Sequence, residues 1–307
     1  MQEFRGALTG LIATPITPFR QDQALDIQAV AENVEFLMER GVRLFVTGGS
    51  IGEFAALTLG ERKAVLAETV NTVKHRGLVL TNISGTDQAG ILELARHAAD
   101  VGAAGVMVLP PYYYRPSADE LFDFFRWLDA HIDLPFLIYN NPGTTGVNVP
   151  LEMLAALAEL RRFAGLKEAN PDVVRFYRIV RRFGTVFPVV AATETPVAFF
   201  LLAGSPAVMT ASVDYAPEFM QELLGAALAS DVAQTWNLYD RLLAVREMLE
   251  PLLQHGYPAY IPFTKAAVEA RGLRAGPPRL PLRPLDPSTR ARLEEALRRH
   301  LFPHGPR

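Results

Sequence analysis

Eight short apolar runs, each followed by a stretch of helical period, constrain this 307-residue chain more than any other feature of it. The runs fall at 11–19, 44–47, 78–83, 105–109, 136–139, 163–168, 186–192 and 207–213. Between them the spacing predicts helices over 26–39, 61–75, 87–100, 118–131, 151–160, 172–183 and 196–203, and a long helix from Pro217 onward. Runs such as Gly105-Val-Met-Val-Leu109 are apolar on both faces, as buried parallel strands require. The helical segments carry apolar residues three and four apart, as at Ala29, Val30, Val34 and Leu37. Gly41, Gly77, Gly102, Gly184 and Gly204 read as helix stops, and Pro150 and Pro217 as first-turn residues. Eight β-then-α units in series favour a closed (β/α)8 TIM barrel of the α/β class over an open sheet. The barrel is assigned to residues 1–225 and a C-terminal helical extension packed on it to 226–307, the two forming one structural unit. Within the extension, the proline- and arginine-rich segment 274–287 reads as an extended connector to a last helix near 288–299.

Composition removes several classes of function. There is no cysteine, which excludes thiol redox chemistry, thiolate metal sites and a disulfide framework. The net charge of −3 argues against a nucleic-acid surface. No apolar run approaches the roughly 20 residues that span a bilayer, and the N-terminal stretch lacks the pattern of a signal peptide. The expectation is a cytoplasmic protein with no nucleic-acid or membrane partner. The histidines His75, His97, His131, His255, His300 and His304 avoid the expected strand ends, and no pair has metal-ligand spacing on one helix, so no metal is expected. Nor does the sequence carry a Gly-x-Ser-x-Gly elbow or a dinucleotide or phosphate-loop fingerprint.

In a barrel of this kind the working residues sit at the C-terminal ends of the strands. Those ends carry Gly48-Gly-Ser-Ile-Gly-Glu53, Pro110-Pro-Tyr-Tyr-Tyr-Arg115, Tyr139-Asn-Asn-Pro-Gly-Thr-Thr-Gly146, Leu166-Lys-Glu168 and Ala192-Thr-Glu194. Only four residues are lysine, and Lys63, Lys74 and Lys265 belong to expected outer or C-terminal helices. Lys167 is therefore the barrel's one candidate interior amine. At the end of an apolar strand its charge is costly, its pKa falls, and the neutral amine can attack a ketone. The alternative is a lysine that snorkels out of the barrel mouth or pairs with Glu168. One strand away, Tyr139 offers a phenol that can shuttle protons, or simply an interior aromatic with a satisfied hydroxyl. The glycine-rich turn around Ser50 offers backbone N–H groups to a carboxylate or phosphate, or merely joins strand to helix.

Taken in order, these motifs resemble the dihydrodipicolinate synthase / N-acetylneuraminate lyase family of class I aldolases. The match starts at Thr14-Pro-Ile-Thr-Pro-Phe19 and runs through Gly49-Ser-Ile-Gly-Glu53, Tyr112-Tyr-Tyr-Arg-Pro116, the strand-five loop and Gly165-Leu-Lys-Glu168. It ends in Pro262-Phe-Thr-Lys265 and Leu280-Pro-Leu-Arg-Pro-Leu285. The resemblance implies that Lys167 forms a Schiff base with pyruvate or another 2-oxo acid, without a separate cofactor. It implies that Tyr139 shuttles protons and that Ser50 relays them. The turn of Gly49, Ser50 and Ile51 would hold the substrate carboxylate through its backbone. Tyr113 would come from a neighbouring subunit of a homo-oligomer, a tetramer built as a dimer of dimers.

Departures from the family pattern bear on the substrate. Synthases of lysine biosynthesis carry an arginine in the strand-five loop that clamps the aldehyde's carboxylate. Thr144 stands there and cannot supply a cationic fork. A second threonine of the glycine-rich turn is Ile51, and Ala192 replaces a glycine whose carbonyl faces the substrate. What remains suits a 2-oxo acid with a neutral, hydroxylated distal end, touched by Asn141, Thr144, Thr193, Glu194 and Ser212. The expected activity is a lyase: aldol cleavage or condensation with pyruvate, or dehydration or deamination of a 2-keto-3-deoxy acid. The competing readings are 4-hydroxy-tetrahydrodipicolinate synthase and a non-catalytic ligand-binding protein on the same fold.

Overall fold

A computed structural model describes residues 1–249 and 259–302. Eight parallel strands close into a barrel in chain order, with β8 pairing back onto β1. They are β1 (Gly10–Ala13), β2 (Leu44–Thr47), β3 (Leu78–Asn82), β4 (Gly105–Val108), β5 (Phe136–Asn140), β6 (Phe163–Glu168), β7 (Val189–Ala191) and β8 (Ala207–Val208). The fold is the (β/α)8 TIM barrel with additional C-terminal helices. A short α1 (Gln2–Ala7) precedes the first strand. The helices between and after the strands are α2 (Ile27–Glu39), α3 (Leu59–Val73), α4 (Gln88–Asp100), α5 (Ala118–His131), α6 (Pro142–Thr145), α7 (Met153–Ala158), α8 (Val173–Phe183), α9 (Val197–Leu202), α10 (Ser212–Tyr215) and α11 (Pro217–Leu228). The C-terminal helices are α12 (Val232–Arg246), α13 (Tyr260–Glu269) and α14 (Pro287–His300).

The helix starts follow from capping. The side chains of Asp26, Asp87 and Asp172 accept backbone N–H groups at the openings of α2, α4 and α8. Thr58 with Glu61, and Ser117 with Glu120, close capping boxes on α3 and α5. Gly41, Gly102 and Gly204 leave their helices with φ of 84°, 85° and 106°, a region that favours glycine. Gly77 and Gly184 do not: their backbones are extended and right-handed respectively, so they end helices without needing glycine's freedom.

Several expected boundaries move for physical reasons. β1 stops at Ala13 rather than reaching residue 19, because Pro15 and Pro18 have no N–H to give a ladder; Phe19 keeps only an isolated antiparallel bridge to Leu25. β7 begins at Val189, since Val186 is exposed and Pro188 interrupts the run. β8 ends at Val208, and the rest of that apolar run turns into α10. The long helix expected from Pro217 breaks at Ser230, which has a φ of 59°, and restarts at α12 under an Asp231 cap. α1 was not expected; it covers the bottom of the barrel, where Phe4 lies so close to β4 that a Cβ on Gly105 would come within 2.7 Å of its ring. His255 and His304 lie outside the described residues.

Two apolar layers result. Residues such as Ile12, Val46, Leu80, Met107, Leu137, Ala164 and Met209 fill the barrel interior, and a larger cluster seals strands against helices. The β5–β6 pairing shifts register after Phe136, so that Phe136 faces Phe163 but Leu137 faces Gly165. The irregularity absorbs one residue of β6. Ala164 and Lys167, three apart, therefore both face the interior, while Leu166 between them packs in the outer cluster.

The C-terminal helices fix the turn after β2. Glu53, at φ 54°, is buried there with its carboxylate 2.7 Å from the Lys265 amine of α13. Lys265 also donates to the Pro277 carbonyl, and the Arg279 backbone N–H donates to Glu53. Removing one partner of such a buried pair strands the other charge. Lys265→Met is expected to lower the unfolding free energy by about 3–5 kcal/mol in urea titration; a loss under about 1 kcal/mol would mean that Glu53 finds another partner or protonates cheaply.

Candidate active site

The barrel mouth opens on a cavity of about 130 Å3 at the C-terminal ends of the strands. Lys167 on β6 and Tyr139 on β5 are directly paired across the ladder, and both side chains enter it. The Lys167 amine sits 3.8 Å from the centroid of the Tyr139 ring. The Tyr139 hydroxyl accepts a hydrogen bond of 3.0 Å from the Asn141 side-chain amide. Lys167 is only 4% exposed, and burial pulls its pKa from 10.5 to about 7. Glu168, the neighbour that might have paired with it, points to the opposite side of the strand. There it accepts from Asn140, from the Asn170 backbone and from Arg175 on α8.

Asp214 completes the electrostatics and was not foreseen. Its run reads as an apolar strand, but the chain turns helical at α10 and delivers the carboxyl to the barrel interior. One oxygen accepts from the Thr14 N–H at 3.2 Å; the other is buried without a hydrogen-bond partner. Burial pushes the Asp214 carboxyl up to about 8, against the pull of the Thr14 N–H and of Lys167. In turn an ionised Asp214 favours the charged form of Lys167, against the larger effect of desolvation. Burial thus drives both groups toward their neutral forms.

Ser50 and Ile51 line the cavity from the turn after β2. The turn is held from beneath by a hydrogen bond from Asn82 to the Gly48 carbonyl, beside one between the hydroxyls of Thr47 and Thr81. The hydroxyls of Ser50 and Thr14 are buried in the cavity wall without partners, so a ligand carboxylate or carbonyl there would find two donors ready. Gly49 lies behind Ser50, against Thr14. Asn141, Ala192, Thr193 and Glu194 line the opposite side. Ser212 does not line it: buried in α10, it gives its backbone N–H to Glu194 and its hydroxyl contacts Thr210. Thr144 is exposed on α6, outside the cavity. Tyr113 is 78% exposed and stacks edge-on with Tyr114, lining a separate cleft of its own chain. Beyond the expected set, the cavity wall includes Met209, Thr210, Ala211, Arg246 and Tyr260. Among the described residues no group of three histidine or acidic side chains could hold a metal ion, and no helix is long and apolar enough to cross a membrane.

The sequence profile of the dihydrodipicolinate synthetase family matches residues 7–300. The chain belongs to that family. It is an enzyme, a lyase of the class I aldolase type. A 4-hydroxy-tetrahydrodipicolinate synthase of Methanoculleus marisnigri is 33% identical over 96% of this chain and 99% of its own length. Dihydrodipicolinate synthase of Aquifex aeolicus superposes with a TM-score of 0.87 at 28% identity, over 95% of this chain and 97% of its own. A prophage protein of the same family from E. coli K12, solved in complex with pyruvate, gives the same score and identity over 95% and 98%.

The Lys167–Asp214 pair makes a testable statement about pH. An ionised Asp214 raises the lysine's affinity for its proton, so Asp214→Asn should let the amine deprotonate at lower pH. Carbamylation of Lys167 by cyanate, followed by mass spectrometry with exposed Lys74 as the internal reference, is expected to reach half its maximal rate at lower pH in the variant than in the parent protein. A shift to higher pH would contradict the assignment.

Proposed function

We propose that the protein is a lyase that holds a 2-oxo acid as an imine on Lys167. The observation that carries this reading is an amine that is buried, held over a phenol ring and, with its pKa pulled down to about 7, about half uncharged at neutral pH. A neutral amine adds to the C2 carbonyl, the carbinolamine loses water, and the protonated imine then draws electrons from the adjacent carbons. In the cleavage direction the C3–C4 bond breaks as the C4 hydroxyl loses its proton, releasing an aldehyde and leaving an enamine on Lys167. Protonation of the enamine carbon and addition of water return the amine and free pyruvate.

Tyr139 is the group placed to carry the proton, since its hydroxyl lies in the same cavity and is oriented by Asn141. The unpartnered hydroxyls of Ser50 and Thr14 and the backbone around Ile51 are suited to the carboxylate next to the carbonyl. No separate cofactor enters the scheme, because the imine is itself the electron sink. Tyr113, exposed and outside the lining of its own cavity, is proposed to reach the cavity of a second subunit in a homo-oligomer, a dimer of dimers.

The 4-hydroxy-tetrahydrodipicolinate synthase named among its relatives is the second reading, favoured by that similarity. Against it stands Thr144, exposed and uncharged where a carboxylate clamp is needed. A 2-oxo acid with a hydroxylated distal end therefore fits better. Efficient condensation of pyruvate with aspartate semialdehyde, with keto sugar acids inert, would reverse that order.

Borohydride reduction in the presence of pyruvate is expected to fix a pyruvate-derived adduct on Lys167, visible in the peptide mass, and Lys167→Ala should abolish it. Tyr139→Phe is expected to retain the adduct but to lower turnover by roughly 100- to 10,000-fold, the usual worth of a positioned general acid–base group. Absence of any adduct would favour a binding protein on this fold.

A further inference from the structure

Four carboxyl groups are buried among the described residues: those of Glu53, Glu168, Glu194 and Asp214. Three of them lie in ion pairs, Glu53 with Lys265 at 2.7 Å, Glu168 with Arg175 at 3.2 Å and Glu194 with Arg246 at 3.7 Å. Asp214, only 3% exposed, has no cation within ion-pair distance among those residues. The Thr14 N–H meets one of its oxygens, the Ile16 N–H adds a weaker pull, and the other oxygen is buried without a hydrogen-bond partner. A carboxylate so poorly matched is costly out of water, and burial pushes the group up to about 8. Its surroundings do not relieve it. Glu194, after β7, opposes its ionisation and is itself engaged with Arg246. Tyr215, the next residue, is buried and holds its own proton more tightly than usual. On α13, which packs against α10, Lys265 and Glu269 are engaged with Glu53 and Arg290. Glu218 and Glu222 of α11 are exposed. Lys167 on β6 is the cation whose charge favours the carboxylate, and a neutral lysine supplies no such charge.

We infer that Asp214 is the proton store and counter-ion of the covalent intermediate: the cation it lacks is the protonated imine on Lys167. A buried amine escapes its charge by releasing a proton. The iminium nitrogen has to stay cationic while it draws electrons, so the dry site must then carry a charge. Asp214 supplies the opposite charge by giving up its own proton. One neutral amine, one ketone carbonyl and one carboxylic acid become one iminium, one carboxylate and one water. The carbonyl oxygen leaves in the water, and the two amine protons and the carboxyl proton become one N–H and the two protons of that water. The net charge of the site is unchanged, and nothing is drawn from solvent. Hydrolysis of the last imine returns the proton to Asp214. Asp214 is thus a positioning residue, acting through charge on the Lys167 nitrogen rather than by touching the substrate. Its role rests on the imine reading above.

The proton count tests it. Uptake is read with a pH indicator in lightly buffered solution as pyruvate saturates the protein, and imines are counted by borohydride trapping and mass spectrometry. At about pH 7.5, between the values to which burial brings the two groups, the free pair and the iminium–carboxylate pair each hold close to one proton. The parent protein is therefore expected to take up close to none per imine. In Asp214→Asn each iminium must draw its proton from water. Uptake should rise to close to one, and above that pH the half-saturating pyruvate concentration should climb about tenfold per pH unit. If the variant's imine stays uncharged instead, borohydride still traps it, but cyanoborohydride, which reduces the protonated imine, does so at least about tenfold more slowly than in the parent; that result also supports the role. Thermal melting shows whether the variant is folded, and if it is not, the parent's own count decides. No adduct in the parent sinks the imine reading itself. An adduct formed in the parent with uptake of close to one proton overturns the role of Asp214. So does a folded variant that matches the parent in both proton count and cyanoborohydride rate.

Discussion

The cost of keeping a charged ammonium in a dry barrel mouth governs the chemistry of this molecule. The fall of Lys167 from 10.5 to about 7 corresponds to about 5 kcal/mol against the protonated form. The fold creates that condition by several separate means. A register shift in β6 turns the side chain inward, the outer face of the same strand gives Glu168 to Arg175 instead, and the Tyr139 ring covers the amine. A lysine two residues nearer the rim, or one paired with Glu168, would stay cationic and could not attack a carbonyl.

Around that amine the remaining walls come from distant parts of the chain, each with its own mechanical support. The turn carrying Ser50 hangs from Asn82 on one side and is braced through Glu53 by Lys265 of α13 and by Arg279 of the connector that follows α13. The C-terminal helices also deliver Arg246 and Tyr260 to the mouth. The extension therefore does more than stabilise the barrel: it holds the turn that carries Ser50 and supplies part of the cavity wall. A buried ion pair is a poor device for stability alone. Lys265 and Glu53 make sense as a means of fixing the turn in one position.

Most of the architecture was legible because parallel strands and amphipathic helices write different periods. The helix over Ala118–His131 could be read to the residue, since a capping box opens it and the apolar period closes it. Lys167 and Tyr139 were legible too, as the lone interior amine and a phenol one strand away. What stayed hidden is what depends on conformation rather than on residue type. The run ending at Val213 is as apolar as a strand, but its chain turns helical, which brings Asp214 inward and takes Ser212 out of reach of a substrate. Arg246 belongs to a helix whose sequence says nothing about where its last turn points. Thr144 occupies a suggestive place in a loop yet ends on the surface, because α6 turns it away.

The proton on Lys167 decides whether the amine can react, and it can be observed on its own nitrogen. With only four lysines in the chain, isotope labelling of the side-chain amines gives a spectrum sparse enough to assign by replacing Lys167. Titrated by NMR in the absence of substrate, the Lys167 signal is predicted to change near pH 7. A midpoint near the ordinary 10.5 would show a solvated ammonium and would contradict the account.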